Sequence, residues 1–293
     1  MKVTKAVILT AGYSTRFLPS CKNIPKAMLP LVDVPIIHEI AKECVEGGIK
    51  DIIIVTSYGN HPLEDYFDNN KEMEDFLKDT GKMDRYERFN EVYNKVNVAC
   101  IRQNKSLPYG NGSPVLAAKP FLNEDEAFAI FFADDLVLGG SAIGEAKEKF
   151  EEMSEKDPNV GGVIVTQEVP DEEVGRYGIV SFKDEKKKII DRVIEKPELK
   201  DAPSRQAVYG RYIATYEIFN YFTKRDVGKA GELWLSDAFD RACKEKNFYQ
   251  MSASGEWLTT GDPLRYMKAM IRYALERDEY KEDLMKFMKD LSS

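Results

Sequence analysis

Arg16, Lys22 and Lys26 bring three cations into one short stretch, LTAGYSTRFLPSCKNIPKAMLP, residues 9–30. The chain around them is acidic, with 42 basic against 50 acidic side chains and a formal charge of −8. A local cluster of this kind suits a compact polyanion such as a nucleoside triphosphate, arginine offering a fork of donors and lysine a point charge. Ala11 and Gly12 have little or no side chain, so backbone groups there are able to approach a base or a phosphate closely. Solvated cations on a surface loop would leave the same local pattern. The stretch is neither G-x-x-x-x-G-K-[ST] nor G-x-G-x-x-G. Pro19, Pro25 and Pro30 each bar helical geometry in the residue before them, which leaves an extended, braced loop.

Other candidates are spread along the chain. Arg102-Gln103 precedes Tyr109-Gly110-Asn111-Gly112, where a glutamine side chain offers donor and acceptor to a base edge, or the glycines form a plain turn. Asp134-Asp135 ends an apolar run at 127–133. A carboxylate there suits Mg2+, which takes one or two carboxylates plus phosphate oxygens and water, or equally caps a helix or turn. Glu195-Lys196-Pro197 closes another run, a carboxylate acceptor beside an ammonium, which by itself is usually an ordinary exposed strand end. Gly178, after Tyr177, and Gly210, before Arg211, have no side chain to keep a neighbour from the backbone.

Much chemistry is excluded by what the composition lacks. His38 and His61 are the whole imidazole supply, and Cys21, Cys44, Cys100 and Cys243 lie far apart with no C-x-x-C. Neither a nucleophilic triad, a zinc site nor a disulfide framework follows, and buried reduced thiols are expected. The acidic balance argues against nucleic acid, and no run approaches the ~20 apolar residues of a membrane span. The apolar start at 5–10 lacks a cleavage pattern, so a cytoplasmic protein is expected.

The elements that must position these residues follow a βαβ rhythm. Residues 5–10 read as a buried strand. A helix is expected over 33–48, with Asp33 as N-cap, Pro35 in the first turn and Gly47-Gly48 at the end, then a strand over 51–57. The charged, amphipathic segment 64–95 reads as one or two inserted helices, with His61 in a loop before it. Strands are expected at 96–102, 127–133, 161–169, 177–183, 189–194 and 207–214. Helices near 215–223 and 235–246, a hairpin over 247–259 and C-terminal helices after Pro263 complete the pattern. This is α/β: a Rossmann-like three-layer α/β/α fold with a mixed, mainly parallel central sheet, ligands lying at the carboxyl ends of its strands.

The 9–30 stretch resembles the signature L-x-x-G-x-G-T-R-x-x-P-x-T-K-x-x-P-K-x-x-L-P of the sugar-phosphate nucleotidyltransferases, most similar in detail to the bacterial UTP–glucose-1-phosphate uridylyltransferases. Gly12, Thr15, Arg16, Pro19, Lys22, Pro25, Lys26, Leu29 and Pro30 fall in register, while Ser14 replaces a glycine and Cys21 a threonine. The Arg102-Gln103 and 109–112 segments, Tyr177-Gly178, Glu195-Lys196-Pro197 and the 209–212 segment match further family elements. So does Gly231-Glu232-Leu233-Trp234-Leu235-Ser236-Asp237-Ala238, with Trp234 in place of a glutamine. At Trp257-Leu258-Thr259-Thr260-Gly261 the family's second metal-binding aspartate is replaced by Thr259, and Asp262 is not promoted to ligand in its place.

The resemblance implies a nucleotidyltransferase joining UTP and glucose 1-phosphate into UDP-glucose and pyrophosphate with Mg2+. Under it Arg16, Lys26 and Lys196 are catalytic, and Ala11, Gly12, Thr15, Gln103, Gly110 and Asp134 bind the nucleotide. Gly178, Glu195, Lys196 and Gly210 bind the sugar phosphate, and Asp134 holds the metal. It further implies a catalytic domain over 1–275 with the 64–95 insertion, a helical tail over 276–293 available for oligomer contact, and a homo-oligomer. The alternatives are the same chemistry on another nucleotide or sugar, such as dTTP, and a non-catalytic nucleotide-sugar-binding homologue.

Overall fold

The computed structural model describes residues 1–223 and 231–292. Its strands are β1 (Val3–Leu9), two-residue β2 (Pro30–Leu31) and β3 (Val34–Pro35), β4 (Asp51–Thr56), β5 (Asn97–Arg102), β6 (Ala127–Phe132), β7 (Asp135–Leu138), β8 (Val160–Glu168), β9 (Gly178–Asp184), β10 (Ile189–Glu195), β11 (Gln206–Thr215), β12 (Asn247–Met251) and β13 (Glu256–Thr259). Its α-helices are α1 (Ile36–Glu46), α2 (His61–Tyr66), α3 (Lys71–Asp79), α4 (Glu87–Tyr93), α5 (Gly112–Ala118), α6 (Ala142–Lys156), α7 (Leu235–Ala242), α8 (Pro263–Leu275) and α9 (Asp278–Leu291).

The middles of β1 and β4, and nearly all of β6, are apolar and buried because both faces of the sheet are covered there. Ala6 and Ile8 of β1 turn toward Ile37, Ile40 and Cys44 of α1 and Phe150 of α6, whereas Val7 faces Val115 of α5 and Phe239 of α7. Two large cores, one on each side of a nine-stranded sheet, make the expected three layers, and a small third cluster of Val169, Val174, Ile179 and Ala207 lies by β9.

The sheet order is β5-β4-β1-β6-β11-β8-β12-β10-β9. The sheet is mixed, as expected, but its parallel part is the first four of these strands, together with the β8–β12 pair. The β6–β11, β11–β8, β12–β10 and β10–β9 pairings are antiparallel. The far end curls so that β9 returns to β11, pairing Val208 with Gly178. On that same flank of β11, Arg211 pairs with Phe131 of β6. The strand therefore changes partner at Gly210, whose φ is +68°. This switch sets the start of β9 and the end of β10 next to the carboxyl ends of the parallel strands.

Several expectations are corrected. Asp33 does not cap α1: residues 30–35 form the β2–β3 ribbon, Pro35 takes the cap position, and Asp33 instead pairs with Arg277. His61 opens α2 with Pro62 in its first turn rather than lying in a loop, and three short helices with an intervening 3₁₀ turn span 61–93. Helix α7 is shorter than expected, and 216–221 is 3₁₀ rather than α. Strands β12 and β13 do not form a hairpin with each other. Apolar Phe248 and Tyr249 draw β12 into the main sheet beside β8, while β13 pairs with β7.

No helix among the described residues is long and apolar enough to cross a membrane. The cysteines are free, and Cys21, Cys44 and Cys243 are buried.

Candidate active site

Thr10 closes β1 by donating from both its amide and its hydroxyl to Val55 O, each at 2.9 Å, which launches the 9–30 loop from the carboxyl edge of the sheet. The loop is then held down by Phe17, buried and edge-on to Tyr266 of α8 at 5.8 Å. Ser14, at the position of the signature glycine, adopts φ +52° and ψ +35°. The backbone thus keeps the left-handed turn that glycine takes without strain, and a serine bears it.

Beyond this turn the cations reach partners distant in sequence. Lys26 Nζ donates to Asp134 Oδ2 at 2.6 Å, and Arg16 Nη1 to Gly261 O at 3.2 Å. A side chain on Gly261 would stand 3.6 Å from Asp134 Oδ2 and 4.0 Å from Arg16 Nη1, so Arg16, Lys26, Asp134 and Gly261 share one spot. Lys22 is exposed. Burial pushes the Asp134 carboxyl up, but the Lys26 ammonium, its hydrogen bond and the charge of Arg16 outweigh it, and the group sits below the usual carboxylate range.

Asp134 lies in the turn between β6 and β7, and the chain fixes that turn from two directions. Thr260 donates to Asp134 O from its amide at 2.6 Å and from its hydroxyl at 3.0 Å. Thr259, where the family has an aspartate, sets Oγ1 3.4 Å from the same oxygen and accepts from Gly261 N at 3.2 Å. From the other side comes Arg211, fully buried, which donates to Phe132 O at 3.3 Å and Asp135 O at 2.7 Å. Its charge is met by Glu43 of α1, with contacts of 3.0 and 2.8 Å to Oε2, and Glu43 Oε1 also accepts from Ile143 N at the start of α6. Neither partner figures among the sequence candidates: Arg211 stood beside Gly210 as a motif letter, and nothing local to residue 43 announces a partner 168 positions away.

Asp135 is buried and accepts from Trp257 Nε1 at 2.8 Å. Burial and the neighbouring Asp134 charge push its carboxyl up to about 7, against the pull of the Trp257 hydrogen bond and Arg211. A side chain on Gly210 would fall 2.5 Å from Phe132 Cβ and 2.8 Å from Asp135 Oδ2, so this glycine is required by the protein's own packing.

The base-side candidates join a second strip. Gln103 follows β5, its amide donating to Thr56 O at 2.8 Å. Gly110, at φ +127°, packs so closely on Leu233 that a side chain would lie 2.3 Å from Leu233 O. Leu233 N in turn donates to Tyr109 O at 2.7 Å, and Tyr109 stacks on Tyr13 with ring centroids 6.1 Å apart. The 109–112 and 231–235 segments are therefore one structural unit beside the first loop. Gly12 and Thr15 are exposed and Ala11 half-buried.

Gly178 and Glu195 pair directly across β9 and β10, and Lys196 N donates to Tyr177 O at 3.0 Å. Lys196 takes φ +46° and carries its ammonium 3.3 Å from Glu195 Oε1 and 5.4 Å from the centre of the Trp234 ring. The β6 and β9 pairing points on β11, Arg211 and Val208, are three residues apart. At strand rise this is roughly 10 Å. Asp262 is no ligand: it caps α8 by accepting from Arg265 N at 3.0 Å and pairs with Arg176 and Arg265.

A loop of cations against a strand-end carboxylate, with a lysine–glutamate pair roughly 10 Å along the sheet edge, offers charges of the kind anionic phosphates require. Among the described residues no three His, Cys, Asp or Glu side chains gather for a metal. The Asp134 carboxylate fits a hard cation such as magnesium, which draws most of its shell from phosphates and water, whereas the Thr259 hydroxyl is turned to Asp134 O and Gly261 N.

The chain belongs to the nucleotidyl transferase family, whose model matches residues 5–276. It is similar to the UTP–glucose-1-phosphate uridylyltransferase of Staphylococcus epidermidis, 37% identical over 293 residues and 99% of each chain. Among solved structures it resembles the UTP-bound UGPase from Acinetobacter baumannii at 31% identity and a TM-score of 0.85, covering 99% of both chains. It also resembles UDP-glucose pyrophosphorylase complexed with UDP-glucose at 30% identity and a TM-score of 0.83, covering 94% of this chain and 100% of that one.

Proposed function

We propose that the protein transfers a uridylyl group from UTP to glucose 1-phosphate, giving UDP-glucose and pyrophosphate. The observation that carries the reading is the meeting of Arg16, Lys26 and Asp134 at the sheet edge that also bears Gly178, Glu195 and Lys196. Full-length similarity to a uridylyltransferase and to UTP-bound and UDP-glucose-bound structures supports the choice of substrates.

A phosphate oxygen of glucose 1-phosphate attacks the α-phosphorus of UTP. The new phosphorus–oxygen bond forms as the bond to the bridging oxygen breaks, and the electron pair leaves with pyrophosphate. Sugar phosphates, with a second pKa near ~6, already carry the attacking charge at neutral pH, so no general base is needed. This suits a site with only two histidines in the chain. What remains is positioning and charge neutralisation. Arg16 and Lys26 hold the triphosphate, Lys196 the attacking phosphate, and Glu195 accepts from sugar hydroxyls. Ala11, Gly12 and Thr15 line the phosphates, with Gln103 and the Gly110 loop at the base and Gly178 and Gly210 beneath the sugar. Asp134, with Thr259 as neighbour, would hold Mg2+, which when bound supplies charge neutralisation of the triphosphate.

We place the activity in a catalytic domain over 1–275, in the cytoplasm, with the α9 tail over 276–293 as the self-association element. Tyr280, Met285, Phe287 and Leu291 are exposed on α9, and Ser293 lies outside the described residues.

The test is pyrophosphate release from glucose 1-phosphate with UTP, dTTP, ATP and CTP, with and without Mg2+. Release with UTP and Mg2+ is expected, and binding of UDP-glucose without any turnover would defeat the reading.

A further inference from the structure

We infer that Trp234 is a specificity-determining residue, the wall on which the hexose ring of the sugar phosphate packs while Lys196 holds the phosphate of the same molecule. The inference rests on the reading above and names the part of the site that selects a pyranose.

Three contacts fix the indole. Its Nε1 donates to Glu232 Oε2 at 2.7 Å, which sets the ring plane. Its backbone follows Leu233, buried and bonded to Tyr109, and stands at the N-cap of α7, whose first residue Leu235 donates its amide to Asn111 Oδ1 at 2.8 Å. Its face lies 5.4 Å from Lys196 Nζ. The half-buried ring is thus anchored at its edge and backbone, with the phosphate-holding cation over its face.

Chemistry supplies the rest. In a hexose 1-phosphate the pyranose ring is bonded directly to the phosphate, so a phosphate on Lys196 brings the ring within reach of anything Lys196 itself touches. A pyranose presents an apolar C–H face, and the negative face of an indole attracts both that polarised surface and an ammonium. An amide at this position would offer hydrogen bonds instead of a plane. Glu195 Oε1 lies 3.3 Å from the same ammonium, and in the reading above it accepts from the hydroxyls.

Two measurements test this. In pyrophosphate-release kinetics, Trp234→Ala and Trp234→Gln should raise KM for glucose 1-phosphate roughly tenfold, leave KM for UTP within about twofold, and lose little kcat. Trp234→Phe, which keeps an aromatic plane, should recover most of the loss. The chain has two tryptophans, so titrating glucose 1-phosphate against intrinsic fluorescence in wild type and Trp234→Phe isolates the Trp234 signal. Most of the wild-type response should vanish in the variant. An unchanged sugar-phosphate KM in Trp234→Gln, an equal rise in both KM values, or an undiminished fluorescence response in Trp234→Phe would each overturn the inference. Absence of turnover by wild type with UTP and glucose 1-phosphate would instead overturn the proposed function, and the titration would still decide the place of Trp234.

Discussion

Lys26 and Asp134, 108 residues apart in sequence, meet at 2.6 Å, so the cation proposed for the triphosphate and the carboxylate proposed for the metal neutralise one another. Neither is then a spare charge, and removing one strands the other in a partly buried place. Lys26→Met and Asp134→Asn should each lower kcat/KM for UTP by roughly 10²–10³, the usual loss for one electrostatic contact to a reacting phosphate. Pyrophosphate release would read this, and near-normal turnover in either variant would remove that residue from the machinery.

Lys196→Ala is expected to act on the other substrate, raising KM for glucose 1-phosphate and lowering kcat by about 10²-fold. Initial-rate matrices in both substrates separate this from a UTP effect. An effect confined to UTP would reassign the lysine.

Left-handed backbone at two positions leads to opposite outcomes. Gly210→Ala forces a Cβ into Phe132 and Asp135 at φ +68°. It should cost about 3 kcal/mol or more. Ser14, at φ +52° with its side chain unused as a cap, is different: Ser14→Gly should be neutral or stabilising by about 0.5–1 kcal/mol. Urea denaturation of the two variants checks the contrast.

Asp262 sets a pH dependence. Burial raises its carboxyl, but the Arg265 amide and guanidinium and the Arg176 guanidinium outweigh it and leave the group below its ordinary value. A depressed carboxylate contributes stability that is present above its unfolded pKa, near ~4, and is lost as pH falls through the folded value. Asp262→Ala should therefore cost about 1–2 kcal/mol at pH 7, as the loss of a helix cap with its ion pairs, and less near pH 3. A cost that stays constant between these pH values would show that titration of Asp262 contributes nothing.

Breaking the buried pair should be severe: Arg211→Met leaves Glu43 charged and unmatched, at about 3–5 kcal/mol. Replacing both with apolar residues should cost less than the sum of the single changes. A double-mutant cycle by thermal melting measures the coupling, and strict additivity would argue that the two act independently.

The legible parts of this protein were those written locally. The strand at the N-terminus, the braced loop and the carboxylate ending β6 each declare themselves within about twenty residues, because apolar runs and proline restrict backbone geometry on that scale. Lys26 meeting Asp134 became legible only through the order of motifs. Local pattern misled at 247–259, where two strand-like runs across a turn belong to different sheets, and at Asp33, whose capping chemistry went to Arg277. Glu43 and Arg211 left no signal, since on its own a helix-face glutamate or a strand arginine looks exposed. From the sequence, Gly110 and Gly210 read as places for a ligand to come near. Their immediate neighbours are Leu233, Phe132 and Asp135 of the chain itself.

The Glu43–Arg211 link also bears on how the chain is born. During synthesis the first two hundred residues emerge carrying α1, β1, β4 and β6 with a carboxylate destined for the interior and no cation to match it. Domains form as units as they leave the ribosome, yet this one has to wait for β11 before that carboxylate is met and β6 gains its second neighbour. Fragments ending short of residue 211 should therefore carry a carboxylate without its cation and a β6 edge without its cover.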